Sequence, residues 1–188
     1  YGRESRQERK PVPIFLPQDN NHPIPCYPYV DLHDPASLLQ IGLSIRDFGI
    51  VRIKDVPVYP GTVADVAQCF GVVHRNNYGE VFDVKSDARM ALGSNTGKYL
   101  GPHTDESYRH AAPGITCFHC LKASTDGGGA SILVDGFHAA ERLRTHAPAL
   151  FDTLAAVPIF FQRRALPEED MQSHRRIISL DIDGDVEG

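Results

Sequence analysis

Extended and helical segments do not alternate regularly along this chain, and that order restricts the fold more than any single motif does. Asp34 is a good N-cap, Pro35 suits the first helical position, and Leu38, Leu39, Leu43 and Ile45 give partial helical periodicity up to a stop at Gly49. Ile50 to Ile53 reads as a short strand, and Thr62 to Phe70 as a second helix with Val63, Val66 and Ala67 on one face. Glu80 to Lys85 alternates as a strand does, and Ala91 to His103 is a loop marked by Gly93, Gly97 and Gly101. Ile115 to Ala123 is a strong strand pattern, and a turn at Gly127 to Gly129 leads into the strand Ala130 to Val134. Helices from Asp135 or Gly136 to His146 and from Pro148 to Ala156 follow. Ile159 to Arg163 and Arg176 to Ile182 read as strands, with Asp183-Gly184 as a hairpin signal. A doubly wound parallel sheet needs strand and helix in strict alternation, which this order lacks, so a mixed α+β chain is expected.

Composition narrows the class. Hydrophobic residues at 41% and charged residues at 23% are ordinary for a folded globule and exclude wholesale disorder. A net charge of −5 implies no basic face, which argues against nucleic acid as a partner. No apolar run approaches the ~18 residues that a membrane span requires. Cys26, Cys69, Cys117 and Cys120 are too few and too scattered for a disulfide framework, so a reducing compartment, the cytoplasm, is expected. Pro11, Pro13, Pro17, Pro23, Pro25 and Pro28 make residues 11–28 extended, unable to form a helix or a central strand. With the charged run from Arg3 to Lys10 before it, residues 1–30 read as a linker from an upstream region, and 31–188 as the folded part. The first residue is Tyr1, and Met90 and Met171 are the only methionines.

Three motifs fail on spacing. Gly93-Ser-Asn-Thr-Gly97-Lys98 lacks one residue of a phosphate-binding loop and has Tyr99 where a hydroxyl residue should follow the lysine. Cys117 and Cys120 lie three apart on an expected strand, so their thiols point to opposite faces and read as core cysteines. In Asp181-Ile-Asp183-Gly184-Asp185 the glycine comes too early for a calcium loop, which leaves a charged hairpin turn.

The fourth motif is His103-Thr104-Asp105. Imidazole and carboxylate are two of the three ligands in the facial triad that non-haem Fe(II) oxygenases use, and a spacing of two sends both side chains from one face of an extended segment. With nine histidines in the chain, such a pair arises by chance, and its neighbours have to carry the argument.

They do so through a resemblance. Tyr78-Gly79, Thr96-Gly97-Lys98, His103-Thr104-Asp105, Pro113-Gly114, His119-Cys120 with Lys122, and Gly127-Gly128 through Val134-Asp135-Gly136 stand in the order and spacing of one family. From about residue 71 to 188 the chain resembles the gamma-butyrobetaine hydroxylase-like branch of the taurine dioxygenase family, which are Fe(II)- and 2-oxoglutarate-dependent dioxygenases. The resemblance implies a double-stranded β-helix, or jelly roll, with flanking helices. It implies His103 and Asp105 as iron ligands, and Ser131 as a hydrogen-bonding partner of the 2-oxoglutarate cosubstrate, with an ordinary strand serine as the alternative. O2 would be the second cosubstrate. Relatives often form dimers, so a homodimer stays open.

The resemblance also implies an aromatic cage for a substrate ammonium, held by cation–π attraction. Tyr78 and Phe82 match two cage positions, with plain core packing as the alternative, and Asn95 stands where a third aromatic is expected. The run from Pro102 to Tyr108 is similar to relatives that hydroxylate 2-aminoethylphosphonate or its N-trimethyl analogue in phosphonate breakdown. The substrate expected is therefore a small zwitterion with an ammonium end and a phosphonate or carboxylate end, with gamma-butyrobetaine-like betaines next. Arg163, Arg164, Arg175 and Arg176 could serve the anionic end, and the sequence does not choose among them.

Two elements of the family pattern are missing. A second histidine ligand and an arginine for 2-oxoglutarate are expected beyond Gly188, which makes the chain part of a longer enzyme with a catalytic domain incomplete at its C-terminal end. His174, the one late histidine, is the substitute ligand to weigh against this. The other reading is a catalytically incomplete jelly roll that binds a ligand without turning it over.

Overall fold

The computed structural model describes residues 24–76, 78–84, 99–111, 113–125, 129–164 and 170–187. The chain is a mixture of helix and strand that divides into two units at Asp55 and Val56.

In the first unit, β1 (Cys26–Pro28) pairs in parallel with β2 (Arg52–Lys54), and a 3-10 turn (Tyr29–His33) leads into α1 (Pro35–Phe48). The signals at both ends of α1 act as read. The Asp34 carboxylate accepts from the Ser37 amide at 2.8 Å, and Gly49 closes the helix in the left-handed region at φ 70°. Glycine meets that conformation at no steric cost. Among its described residues, Leu32 and Ile41 are the buried apolar side chains of this unit. Tyr27 hydrogen-bonds Ser44 of α1 at 2.7 Å, and Arg52 Nε donates to Cys26 Sγ at 3.4 Å. The last residues of the proline-rich segment thus have partners in β2 and α1, and position 30 falls inside this unit. As an edge strand, β1 accommodates Pro28, in keeping with the exclusion of a central strand.

The second unit contains α2 (Thr62–Gln68), α3 (Gly136–His146), α4 (Pro148–Ala156) and two antiparallel hairpins, β3 (Ile159–Arg164) with β4 (Asp170–Arg175) and β5 (Ser179–Leu180) with β6 (Val186–Glu187). Asp135 caps α3 through the His138 amide at 2.9 Å, and Pro148 opens α4. The core is Ala140 of α3, Phe151 of α4 and Ile178, with Leu143, Leu154, Leu180 and Val186 packed around them. The β5–β6 hairpin is fastened to the helices by polar bonds as well. Ile178 N donates to Leu154 O at 3.3 Å, and Arg144 donates to Gly184 O at 2.9 Å while lying 4.5 Å from the centre of the Phe151 ring. The Asp183-Gly184 turn is where the sequence places it, with Gly184 at φ 83°.

Several expected elements differ. α2 stops at Gln68 rather than Phe70, because Cys69 and Phe70 donate to carbonyls three residues back and tighten the last turn. Glu80 to Val84, Ile115 to Ala123 and Ala130 to Val134 are not strands. A strand requires a neighbour to take its amides and carbonyls, and among the described residues none pairs with these segments. Their apolar side chains are correspondingly open, with Phe118 81% and Ile132 57% exposed. Cys120 is exposed rather than in the core; Cys117 is half-buried, and burial pushes its thiol pKa up. The expected strand from Arg176 to Ile182 is split: Arg176 lies past the end of β4, and only Ser179 and Leu180 pair. No barrel closes among the described residues, whose strands form three separate pairs.

Two outcomes test this architecture. Phe151→Ala is expected to cost about 3–5 kcal/mol in denaturant unfolding, since Phe151 centres the core; a loss below about 1 kcal/mol would show that this core is not the stabilising one. Hydrogen bonding from Ser37 holds the Asp34 carboxyl below its ordinary pKa. The cap therefore contributes stability above the ordinary carboxylate range and loses it as pH falls through the lowered value. Hydrogen exchange in α1, corrected for intrinsic rates, should show protection dropping in acid for the native chain. In Asp34→Ala protection should be lower already at neutral pH and fall less; matching acid profiles would contradict the cap.

Candidate active site

The site is built on a loop, residues 99–111, held by one face of the β3–β4 hairpin. Side chains on a strand alternate between faces, and register here pairs Phe161 with Ser173, Arg163 with Met171, and Ile159 with Arg175. The face carrying Phe161, Arg163, Met171, Ser173 and Arg175 is the more buried one, and Ser173 is 2% exposed. Three of its side chains reach the loop. Ser173 Oγ donates to Ser107 O at 2.7 Å, Arg175 Nη1 to Arg109 O at 3.4 Å, and Arg163 Nη1 to the Tyr108 hydroxyl at 3.0 Å.

The loop is braced internally too. Arg109 Nε lies 2.8 Å from Glu106 Oε2 in an ion pair that is largely shielded from solvent. Arg109 N donates to Glu106 O at 2.9 Å, closing a turn. Glu106 has φ 55°, a left-handed conformation that costs a side-chain-bearing residue free energy and persists only where its surroundings enforce it. The ion pair and the hairpin contacts are those surroundings, and they sit directly after Asp105.

Within this frame His103 and Asp105 come together. The Nδ1–H of His103 donates to Gly101 O at 2.8 Å, and Nε2 lies 3.4 Å from Asp105 Oδ1. Holding the proton on Nδ1 leaves the lone pair of a neutral ring on Nε2, the tautomer that a metal ligand needs. Both side chains are about half exposed, so the pair is open to a ligand. Two lone-pair donors at this distance fit a single cation: bonds of about 2.1 Å meeting near a right angle place their donor atoms about 3 Å apart. Among the described residues no third His, Cys, Asp or Glu joins them. His174 lies on the opposite face of β4 from Ser173 and packs its ring 5.0 Å from that of Phe160, away from the face that holds the loop.

The expected substrate residues divide. Tyr78 and Phe82 meet, with ring centres 5.1 Å apart, and at 44% and 49% exposure neither is a core side chain. An Asx turn from Asn76 Oδ1 to Tyr78 N, 2.9 Å, presents the tyrosine. Asn95 lies outside the described residues, as does the glycine-rich loop from Gly93 to Lys98. Ser131 is exposed on the irregular stretch before α3.

The braces lie outside the family motifs. Arg163 appears in the sequence as one of four interchangeable arginines, yet here its Nη2 donates to the Tyr78 hydroxyl at 2.7 Å while Nη1 holds Tyr108. Its carbon Cζ is 5.0 Å from the Tyr78 ring centre and 5.4 Å from that of Tyr108. The hydrogen bond to Tyr78 raises the guanidinium pKa further, so it is charged at any working pH. The available signal is strand alternation: 163, 171, 173 and 175 share a face once the hairpin register is known.

Residues 17–185 match the family model described as "Taurine catabolism dioxygenase TauD, TfdA family". Gamma-butyrobetaine dioxygenase of Pseudomonas sp. (strain AK-1) is 34% identical over 155 residues, covering 82% of this chain and 40% of that protein. The Homo sapiens gamma-butyrobetaine dioxygenase is 33% identical over 147 residues, 76% of this chain and 37% of that protein. Homo sapiens mitochondrial trimethyllysine dioxygenase is 34% identical over 133 residues, 71% of this chain and 31% of that protein. The chain spans two fifths or less of the length of these relatives. Matched by the family model over nearly its whole length, the chain belongs to the TauD, TfdA family of dioxygenases.

Proposed function

We propose that the intact protein is an Fe(II)- and 2-oxoglutarate-dependent dioxygenase that hydroxylates a small zwitterion bearing an ammonium group. The observation that carries this reading is the His103–Asp105 pair, with Nε2 and Oδ1 3.4 Å apart on a braced loop in a chain of this family. His103 and Asp105 would hold Fe(II), and bound iron would supply the activation of O2 coupled to 2-oxoglutarate. The Gly101 carbonyl fixes the His103 tautomer, and the Glu106–Arg109 ion pair with Ser173 keeps Asp105 in place beside it. Ser131 is the residue proposed to bond 2-oxoglutarate.

Tyr78 and Phe82 would receive the ammonium end through their ring faces, with Asn95 as a polar third wall. The relatives' names, gamma-butyrobetaine and trimethyllysine dioxygenase, both denote substrates with a trimethylammonium group, which supports this end of the substrate. The similarity of residues 102–108 to aminoethylphosphonate hydroxylases supports a phosphonate at the other end, and hence a place in phosphonate breakdown. The same reading carries a jelly-roll catalytic domain of which 31–188 is part; of the linker expected at 1–30, Cys26–Val30 belong to the first folded unit. The reading also carries a cytoplasmic location, in keeping with four free cysteines, and a homodimer. No described helix is long and apolar enough to cross a membrane.

The test is succinate release by the intact protein with Fe(II), 2-oxoglutarate and a panel of 2-aminoethylphosphonate, its N-trimethyl analogue and gamma-butyrobetaine. Turnover of at least one is expected, and His103→Ala or Asp105→Ala should lower Fe(II) affinity by roughly tenfold to a hundredfold or more and remove turnover. No succinate with any of the three, alongside ligand binding that needs no iron, would favour the catalytically incomplete binding module.

A further inference from the structure

We infer that Arg163 is a positioning residue of the substrate site, its guanidinium fork joining the cage residue Tyr78 to Tyr108 on the loop that carries His103 and Asp105. This rests on the reading above of Tyr78 and Phe82 as the ammonium site, and it adds a determinant that neither the family pattern nor the ring residues supply.

The geometry carries it. Arg163 hydrogen-bonds both tyrosines, Nη2 to Tyr78 at 2.7 Å and Nη1 to Tyr108 at 3.0 Å. Tyr78 and Arg163 are 85 residues apart in sequence, and Tyr108 and Arg163 are 55 apart, so neither bond is local. A guanidinium is planar and presents donors in a fixed fork, so holding two hydroxyls at once sets their separation. A lysine ammonium keeps the charge but not the fork. Tyr108 lies three residues after Asp105, and Ser107 beside it is pinned by Ser173. The position of the Tyr78 ring is thereby referred to the same hairpin face that fixes the His103–Asp105 loop.

The charge has a consequence for selectivity. A fixed cation 5.0 Å from the Tyr78 ring centre already draws on that ring's electron-rich face, so a substrate ammonium must approach Tyr78 away from Arg163 and use Phe82, 5.1 Å away, for the rest of its contact. An anionic group on the substrate, in contrast, is attracted toward Arg163. The residue therefore orients a zwitterion, ammonium end away from it and anionic end toward it.

The experiment uses the intact protein with Arg163→Met, Arg163→Lys and Tyr108→Phe. Tyrosines are labelled as 3-fluorotyrosine, and the residue 78 signal in the 19F spectrum is assigned by its loss in Tyr78→Phe. In Arg163→Met the residue 78 signal should shift, and KM for the ammonium substrate should rise roughly 3- to 30-fold with a smaller fall in kcat. Arg163→Lys should not restore KM, because the fork is lost, and Tyr108→Phe should give a smaller shift of the same sign. Fe(II) affinity should change by a smaller factor than KM in all three, because Ser173 and Arg175 still hold the loop at Ser107 and Arg109. An unmoved residue 78 signal with unchanged KM overturns the proposal. So does a fall in kcat and Fe(II) affinity at constant KM, which would make Arg163 only a brace of the metal loop, or full rescue by lysine. If the native protein turns over no ammonium substrate, the functional reading fails while the 19F arm still decides whether Arg163 positions Tyr78; if Arg163→Met does not fold, the Lys and Phe variants carry the same readouts.

Discussion

One face of the β3–β4 hairpin holds the site together. Ser173, Arg163 and Arg175 reach from β3 and β4 to a loop more than fifty residues earlier in the chain. Each of these bonds is modest alone, about 1 kcal/mol for neutral partners and more for a charged donor. Their value is that they converge. A loop with a left-handed Glu106 and two half-exposed ligand-type side chains would not keep one geometry by its own local preferences. With the Ser107 carbonyl, the Arg109 carbonyl and the Tyr108 hydroxyl all fixed, His103 and Asp105 are left with little freedom beyond their own rotamers.

Other segments of the second unit are less well braced than this loop. Phe118, Ile132, Leu133 and Val134 are exposed apolar side chains on extended segments that no described strand pairs. Residues of this kind have strand-forming chemistry and lack the neighbours that convert it into a ladder. The helix pair α3–α4 with the β5–β6 hairpin is the opposite case, packed through Phe151 and Ile178 and tied by Arg144. The mechanical foundation of the second unit therefore lies C-terminal to the candidate ligands, and the β3–β4 hairpin is inserted within it, between α4 and β5.

This contrast explains what could be read from the sequence. Helix ends were legible because their determinants are local: Asp34, Pro35 and Gly49 act within one turn of themselves, and Asp135 and Pro148 do the same. The Asp183-Gly184 turn was legible for the same reason. The strand patterns at 115–123 and 130–134 find no partner among the described residues, because periodicity reports a side chain's preference and not the presence of a neighbour. β4 was missed: Asp170 to Arg175 is polar throughout except Met171, and only pairing with β3 makes it a strand. In the candidate site, the residues that spacing and family resemblance single out, His103 with Asp105 and Tyr78 with Phe82, lie close together in pairs. Arg163, Ser173 and Glu106 are not singled out in this way, since what distinguishes Arg163 from Arg164 is which face of a strand it occupies.

The central claim is that His103 and Asp105 form two arms of an iron site that also takes a keto acid. An anaerobic Fe(II) titration of the intact protein in the presence of 2-oxoglutarate, followed by visible absorption, tests it most directly, because iron chelated by a keto acid gives a metal-to-ligand charge-transfer band. The expected result is a band that saturates near one iron per chain and is absent in His103→Ala and in Asp105→Ala. A band of undiminished strength in both variants, or none in the native protein, would contradict the account.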